Sequence, residues 1–287
     1  MRRGTSGTAS GVIAPGARLE KLAGGFEFTE GPTCDAAGSV YFTDQPNDRI
    51  LRWGVEGGLS TFLQPAGRAN GMCFDPCGHL IVCADEKTAL WSVAPDGRVA
   101  VLVSEYRGKP LNGPNDVWVQ PDGSVFFTDP FYDRPWWAHH SMPQDGQHVY
   151  FLSADRRRLV RVADDLDKPN GIVGAPDGKT LFVADIGAGR TYRYDITADG
   201  GLAGKTLAAE HGSDGMTLDS EGNLYLTGDG VAVFNAAGLQ IAQIEVPGER
   251  WTANVCFGGK DRKKLFITAG SGLYAIGTRP RGANRSK

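Results

Sequence analysis

One pattern recurs six times along the chain, and the recurrence restricts the fold more tightly than any local propensity. "EGPTCDAAGSVYFTD" starts at Glu30, "NGMCFDPCGHLIVCAD" at Asn70 and "NDVWVQPDGSVFFTD" at Asn115. "NGIVGAPDGKTLFVAD" follows from Asn170, "DGMTLDSEGNLYLTGD" from Asp214 and "NVCFGGKDRKKLFITA" from Asn254. The starts lie 40, 45, 55, 44 and 40 residues apart. Ten or eleven residues after each start comes an apolar run, at Val40, Leu80, Val125, Leu181, Leu224 and Leu265. A period of this size marks an array built from one supersecondary unit.

Each unit has room for four strands. In the first they fall near 30–35, 39–44, 49–53 and 59–64, joined by "DAAG", "QPND" and "VEGG". Four-stranded units of this period build an all-β propeller, and six of them make a six-bladed β-propeller around a channel. The last unit has strands near 254–257, 264–268 and 272–276 and lacks an outer one. "ARLEKLAG" (17–24) is expected to supply it, so that an N-terminal strand closes the ring and covers the open edge. The organisation expected is a flexible leader over 1–16, a propeller over 17–278 and a basic tail over 279–287.

Composition agrees with this reading. Glycine accounts for 40 of 287 residues, about twice the usual ~7 %. A (β/α)₈ barrel is the rival at this length, but it needs eight helices. The longest stretch free of Gly and Pro, 147–168, splits around "ADRRR" into two short apolar runs. A solenoid would not need its two ends to complement each other.

Other features exclude whole classes of function. A net charge of −3 with mixed signs offers no nucleic-acid surface. No 18-residue apolar run exists to cross a membrane, and the first residues lack the apolar centre of a signal peptide. The five cysteines (34, 73, 77, 83 and 256) are an odd number without a Cys-x-x-Cys pair. They read as free core thiols in a reducing cytoplasm.

In a propeller the first strand of each blade lines the axis. The starts therefore form a ring of Glu30, Asn70, Asn115, Asn170, Asp214 and Asn254. One such Asn on its own reads best as an Asx-turn; six in register read as a site. Two carboxylates converging in a narrow channel are unfavourable without a counter-charge. A divalent cation removes that repulsion, and an all-oxygen set favours calcium or magnesium over zinc. A small cation does not reach all six, which leaves Asn70 and Asn254 with structural roles.

The stretches "EGPTCDAAGSVYFTD", "LNGPNDVWVQPDGSVFFTDPFY", "KPNGIVGAPDGKTLFVAD" and "SDGMTLDSEGNLYLTG" resemble the gluconolactonase/senescence-marker-protein (regucalcin-like) family over about residues 25–276. The resemblance implies a six-bladed propeller with one divalent cation, calcium as the first choice, and hydrolysis of a small-molecule sugar lactone. It implies Glu30, Asn170 and Asp214 as metal ligands. It also implies that Asn115 faces both metal and substrate. Some family members place an Arg two residues before the Asn115 position; here that residue is Gly113, and Asn112 is the candidate polar contact in its place.

Lactone hydrolysis needs a polarised carbonyl and a delivered water. Asp214 is the candidate base or water-orienting group beside Asn115, with a metal-bound hydroxide as the competing nucleophile. The longest gap between starts contains "DPFYDRPWWAHHSMPQDGQHVY". Its Trp136 and Trp137 are candidate substrate-binding residues, or they pack the loop onto a blade. His139 and His140 are adjacent and point apart, which argues against a two-His metal site. Asp129 and Asp185 end second strands and are expected to bond turn backbones. The alternatives to a lactonase are a metal-dependent phosphotriesterase and a non-catalytic calcium-binding propeller.

Overall fold

The computed structural model describes residues 11–283. Six four-stranded antiparallel sheets follow one another around an axis. Blade one is Thr29–Cys34, Val40–Asp44, Arg49–Trp53 and Leu59–Leu63. Blade two is Ala69–Phe74, Leu80–Ala84, Ala89–Val93 and Val99–Val103. Blade three is Val117–Val119, Val125–Asp129, His148–Leu152 and Leu159–Ala163. Blade four is Pro169–Gly174, Thr180–Asp185, Arg190–Ile196 and Leu202–Ala209. Blade five is Met216–Leu218, Leu224–Gly228, Gly230–Phe234 and Gln240–Ile244. Blade six takes Thr252–Gly258, Lys264–Ala269 and Gly272–Gly277, and its outer strand is Glu20–Gly24. Glu20 lies opposite Ala275 and Gly24 opposite Gly272, so the N-terminal strand closes the ring as the missing strand required.

The second strands explain why this sequence chooses propeller blades. "VFFTD" and "LIVCA" are buried at every position, because both faces of a blade pack against neighbours. A short continuous apolar run is the sequence form of such a strand. Six clusters of buried residues lie between adjacent blades among the described residues; Phe126, Phe151, Ile172, Leu181 and Val183 join blades three and four. Turn chemistry sets the registers. Asp35 accepts the Ser39 N–H at 2.8 Å, while Gly38 takes a φ of +100° that a side chain would disfavour.

Of the leader, residues 1–10 lie outside the described residues. Val12 is buried between blades five and six, and Ile13 bridges Thr278. Of the tail, Gly282 bridges Asp219 and the Ala283 N–H donates to the Leu218 carbonyl; residues 284–287 lie outside the described residues. No helix among the described residues is long and apolar enough to cross a membrane. All five cysteines are free thiols.

Candidate metal centre and channel mouth

The ring residues sit where the first strands leave regular pairing. The register of blade one shifts between Glu30 and Thr33, that of blade two between Ala69 and Met72, and that of blade four between Pro169 and Ile172. In blades three and five regular pairing begins only at Val117 and Met216, after Asn115 and Asp214. An irregularity of this kind breaks the period-two alternation and re-aims a side chain. The residue after the ring position then meets the neighbouring first strand. A Cβ on Gly171 would stand 2.7 Å from the Asp214 carbonyl oxygen, and one on Gly31 would collide with the carbonyl of Asn70. Hydroxyls add ties across blades: Thr128 donates to the Asn170 carbonyl at 2.7 Å and Thr227 to the Ala253 carbonyl at 2.8 Å.

Asn170 and Asp214 are in direct contact. The Asn170 amide nitrogen donates to Asp214 Oδ1 at 2.8 Å and to the Tyr132 hydroxyl at 2.8 Å. With both of its donors directed, the buried Oδ1 of Asn170 is left without a hydrogen-bond partner. Trp251 Nε1 donates to the other Asp214 oxygen. Glu30 is buried, and one of its oxygens accepts the Gly31 N–H at 2.8 Å. Burial raises its pKa well above the ordinary carboxylate value, and the nearby Asp214 raises it further, against the Gly31 N–H and the Asn254 amide. Asp214 keeps some exposed surface at the mouth. Its pKa is pushed up to about 6 by desolvation, opposed by Trp251, Asn170 and Arg134. The Asn115 side chain makes no hydrogen bond to a described residue, and Asn254 Oδ1 accepts its own following N–H from Val255 at 2.8 Å.

These residues fit a hard cation. The orphaned, buried Asn170 oxygen and two carboxylates held above their ordinary pKa are what an oxygen-ligated dication would satisfy. No cluster of three His, Cys, Asp or Glu ligands exists among the described residues. The donor set mixes carboxylates with amides, which speaks against zinc.

Residues 28–271 match the family described as the SMP-30/gluconolactonase/LRE-like region. The chain belongs to this family. It is 28% identical to the gluconolactonase of Zymomonas mobilis, over 91% of this chain and 81% of that one. A solved gluconolactonase from Xanthomonas campestris superposes with a TM-score of 0.87 at 31% identity, covering 94% of this chain and 93% of its own. The calcium-binding protein regucalcin of Agrobacterium tumefaciens shares the fold, with a TM-score of 0.76, 19% identity and 96% coverage of each chain.

The arginine that some family members carry before the Asn115 position has no room here. Gly113 has a φ of +152°, and a Cβ on it would lie 2.6 Å from Cη2 of Trp137. Trp137 is itself buried, stacks on His139 and donates its N–H to the Asp85 carbonyl at 2.9 Å. Trp136 donates to Asp85 Oδ1 at 2.8 Å. Both tryptophans thus fasten the loop between blades three and two. Asn112 is fully buried; its amide donates to the Asp129 and Gly146 carbonyls and accepts from the Gln144 N–H. It closes the loop's base and presents no surface to a ligand. Asp129 accepts the N–H groups of Asn112 and Gly113, and Asp185 those of Asp167, Lys168 and Ala188, which is the turn bonding expected of them.

Four residues near the centre escaped sequence reasoning. Asp116 is buried, with its pKa pushed up to about 7 by desolvation, and its carboxylate accepts the Val117 N–H and, at 3.3 Å, the Ile172 N–H. It stands where other repeats carry Gly31, Gly71, Gly171 and Gly215, so lining up the repeats flags it. Tyr132, Arg134 and Trp251 lie outside the shared pattern, and nothing in the sequence announces them.

Proposed function

We propose that the protein is a metal-dependent lactonase that opens sugar lactones, with Glu30, Asn170, Asp214 and Asn115 holding one divalent cation, calcium first, in the channel. The observation that carries this reading is the Asn170 amide, whose donors are taken by Asp214 and Tyr132 so that its buried oxygen faces no partner. Family membership and the lactone-hydrolysing names of the relatives support it. When bound, the cation would polarise the lactone carbonyl and offset the charge developing on its oxygen.

The chain's own residues supply the rest. Asn115, free of protein hydrogen bonds on its side chain, orients the lactone. Asp214 is fixed by Asn170 and Trp251 and takes a proton from the attacking water. The water oxygen bonds to the carbonyl carbon, the ring C–O bond breaks, and the proton passes to the departing alkoxide. Tyr132 and the Trp251 indole flank the centre and limit stray water. The free thiols fit a reducing cytoplasm.

The test is a panel of aldonolactones and one organophosphate triester, assayed with metal-stripped protein and again with each divalent cation restored. Lactone opening should vanish on stripping and return with calcium, and Asn115→Ala should lose more turnover than Asn254→Ser. Turnover of the triester alone would replace the lactonase with a phosphotriesterase. Binding of calcium with no turnover of any substrate would leave a non-catalytic propeller.

A further inference from the structure

Two cations stand over one ring beside the centre. The Arg134 guanidinium lies 5.1 Å from the centroid of Tyr132, and Lys168 Nζ lies 4.3 Å from it. The hydroxyl of that ring is 2.8 Å from Asn170, the residue at the heart of the proposed metal set. The two cations reach it from different elements: Arg134 from the loop between the second and third strands of blade three, Lys168 from the residue that leads into blade four.

Neither cation is used up by the protein. Arg134 is anchored through Nε to Asp85 Oδ2 at 3.0 Å, which fixes its plane and leaves both terminal NH₂ groups without a hydrogen bond to a described residue. Trp136, 5.6 Å away, backs the guanidinium further. Lys168 forms no ion pair with a described residue; its backbone N–H donates to Asp185 and its carbonyl accepts the Ile186 N–H, while its ammonium makes no hydrogen bond to a described residue. Neighbouring charges differ in this respect. Arg68 donates to the Pro46 carbonyl and lies 3.7 Å from Glu86, and Asp133 is taken by His140 at 2.7 Å. Asp85 offsets one positive charge, while Glu30 and Asp214 belong to the cation in the reading above.

A planar guanidinium held on one edge, with its NH₂ groups open, is a fork for a carboxylate or phosphate, and a lysine beside it adds a point charge. Holding the fork in advance lowers the ordering entropy that ligand binding would otherwise cost. We infer that Arg134 and Lys168 form an anion-binding subsite beside the reaction centre, and that the preferred substrates are sugar lactones carrying a carboxylate or phosphate away from the scissile bond. The inference rests on the lactonase reading and narrows its substrate class.

The experiment compares kcat/KM for three lactones of one ring: glucono-1,5-lactone, its analogue with a carboxylate at carbon 6, and its 6-phosphate. Wild type, Lys168→Gln, Arg134→Gln and Arg134→Lys are assayed at low and high salt with the metal in place. Wild type should favour at least one acidic lactone through KM, and the preference should shrink with salt. Each Gln variant should lower the acidic-to-neutral ratio about tenfold, the scale of one charge-assisted hydrogen bond, and Arg134→Lys should recover part of it. Carboxylate or phosphate, whichever arm leads, names the anion. Lys168 takes no part in the bonds that anchor the loop to Asp85, so Lys168→Gln separates charge from loop anchoring. A wild type that favours the neutral lactone, or variants that slow all three substrates alike, would overturn the subsite while leaving the lactonase. Failure to open any lactone would remove the lactonase reading and the subsite with it.

Discussion

Asp185 and Asp85 occupy the same place in blades four and two, directly after or at the end of the second strand, and they are used differently. Asp185 gathers the backbone N–H groups of Asp167, Lys168 and Ala188 and so pins the approach to its own first strand. Asp85 takes Arg134 and Trp136, side chains from the loop of the next blade. In blade two the pinning is done elsewhere, by Asp48, which accepts the Ala66 and Arg68 N–H groups. The difference separates two kinds of construction at one channel mouth. The ring is built by a repeated strand whose geometry is set six times over. The loop is a single insertion, held in place by repeat residues released from their ordinary task.

The largest effect should come from removing the two aspartates in turn. Asp185→Ala leaves the partly buried N–H groups of Asp167, Lys168 and Ala188 without their shared acceptor, each loss costing ~0.5–1.5 kcal/mol, the net worth of a bond that water can partly replace. Its melting temperature should fall far more than that of Asp85→Ala. Asp85→Ala should instead raise KM, because Arg134 and Trp136 lose their anchor while the backbone of blade two stays bonded. Thermal unfolding and lactone kinetics on the two variants check this. Equal losses of stability would mean that the loop carries as much of the fold as the repeat does.

A second test sets the ring against the loop by pH. In the metal-free protein burial raises the pKa of Glu30 and pushes Asp214 up to about 6 and Asp116 up to about 7. Folded pKa values above the unfolded ones mean that the native state holds protons the unfolded chain releases. The stability from this is complete below the ordinary carboxylate range and is lost as pH rises through about 6 to 7. Asp129, pushed up to about 7, adds to the same trend from outside the ring. The lowered carboxyls, such as those of Asp145 and Asp155, are exposed and contribute little. Metal-free protein should therefore melt at a lower temperature at about pH 7.5 than at about pH 5. Glu30→Gln should flatten the slope, and calcium should raise the melting temperature most at the higher pH. A metal-free curve that is level or rises over this window would show that the ring carboxylates are not in conflict.

What the sequence revealed follows the same division. The blades and the closing strand are legible because burial on both faces forces apolar runs such as "VFFTD" at a fixed period, and because the last repeat visibly lacks a strand. The ring was legible because its members share one position in that period. Asp116 is legible only when the repeats are lined up, where it replaces the glycine that follows the start residue in four of the other blades. Tyr132, Arg134 and Trp251 are not legible at all: the first two lie in the blade-three loop, whose path depends on contacts such as Trp137 against Gly113, and Trp251 in the connection between blades five and six, and no periodicity encodes either. The resemblance offers Asn112 as a polar contact because "LNGPND" matches a variant of the motif with an Asn there, whereas burial turns all of that side chain's polarity inward.

The smallest effect, and the finest probe of the comparison, lies in the tryptophans. Trp136 lies 4.8 Å below Arg68 and 5.6 Å from Arg134, and its indole N–H reaches Asp85. Trp136→Phe keeps an aromatic face under both guanidinium groups and removes one hydrogen bond. KM should then rise only by a few-fold, with turnover nearly constant, since a contact that holds substrate and transition state equally changes binding alone. Changing both Trp136 and Trp137 to Ala empties the space against Gly113 and leaves the Asp85 carboxylate bonded to Arg134 alone among the described residues, so Arg134 keeps its anchor but loses its aromatic backing. That double variant should shift lactone preference and raise KM further while the bound metal, counted by elemental analysis, stays. Loss of the metal would mean that the loop supports the ring directly, and the two constructions would then be one. Kinetics unchanged over every lactone would mean that the loop packs against the mouth without shaping what enters it.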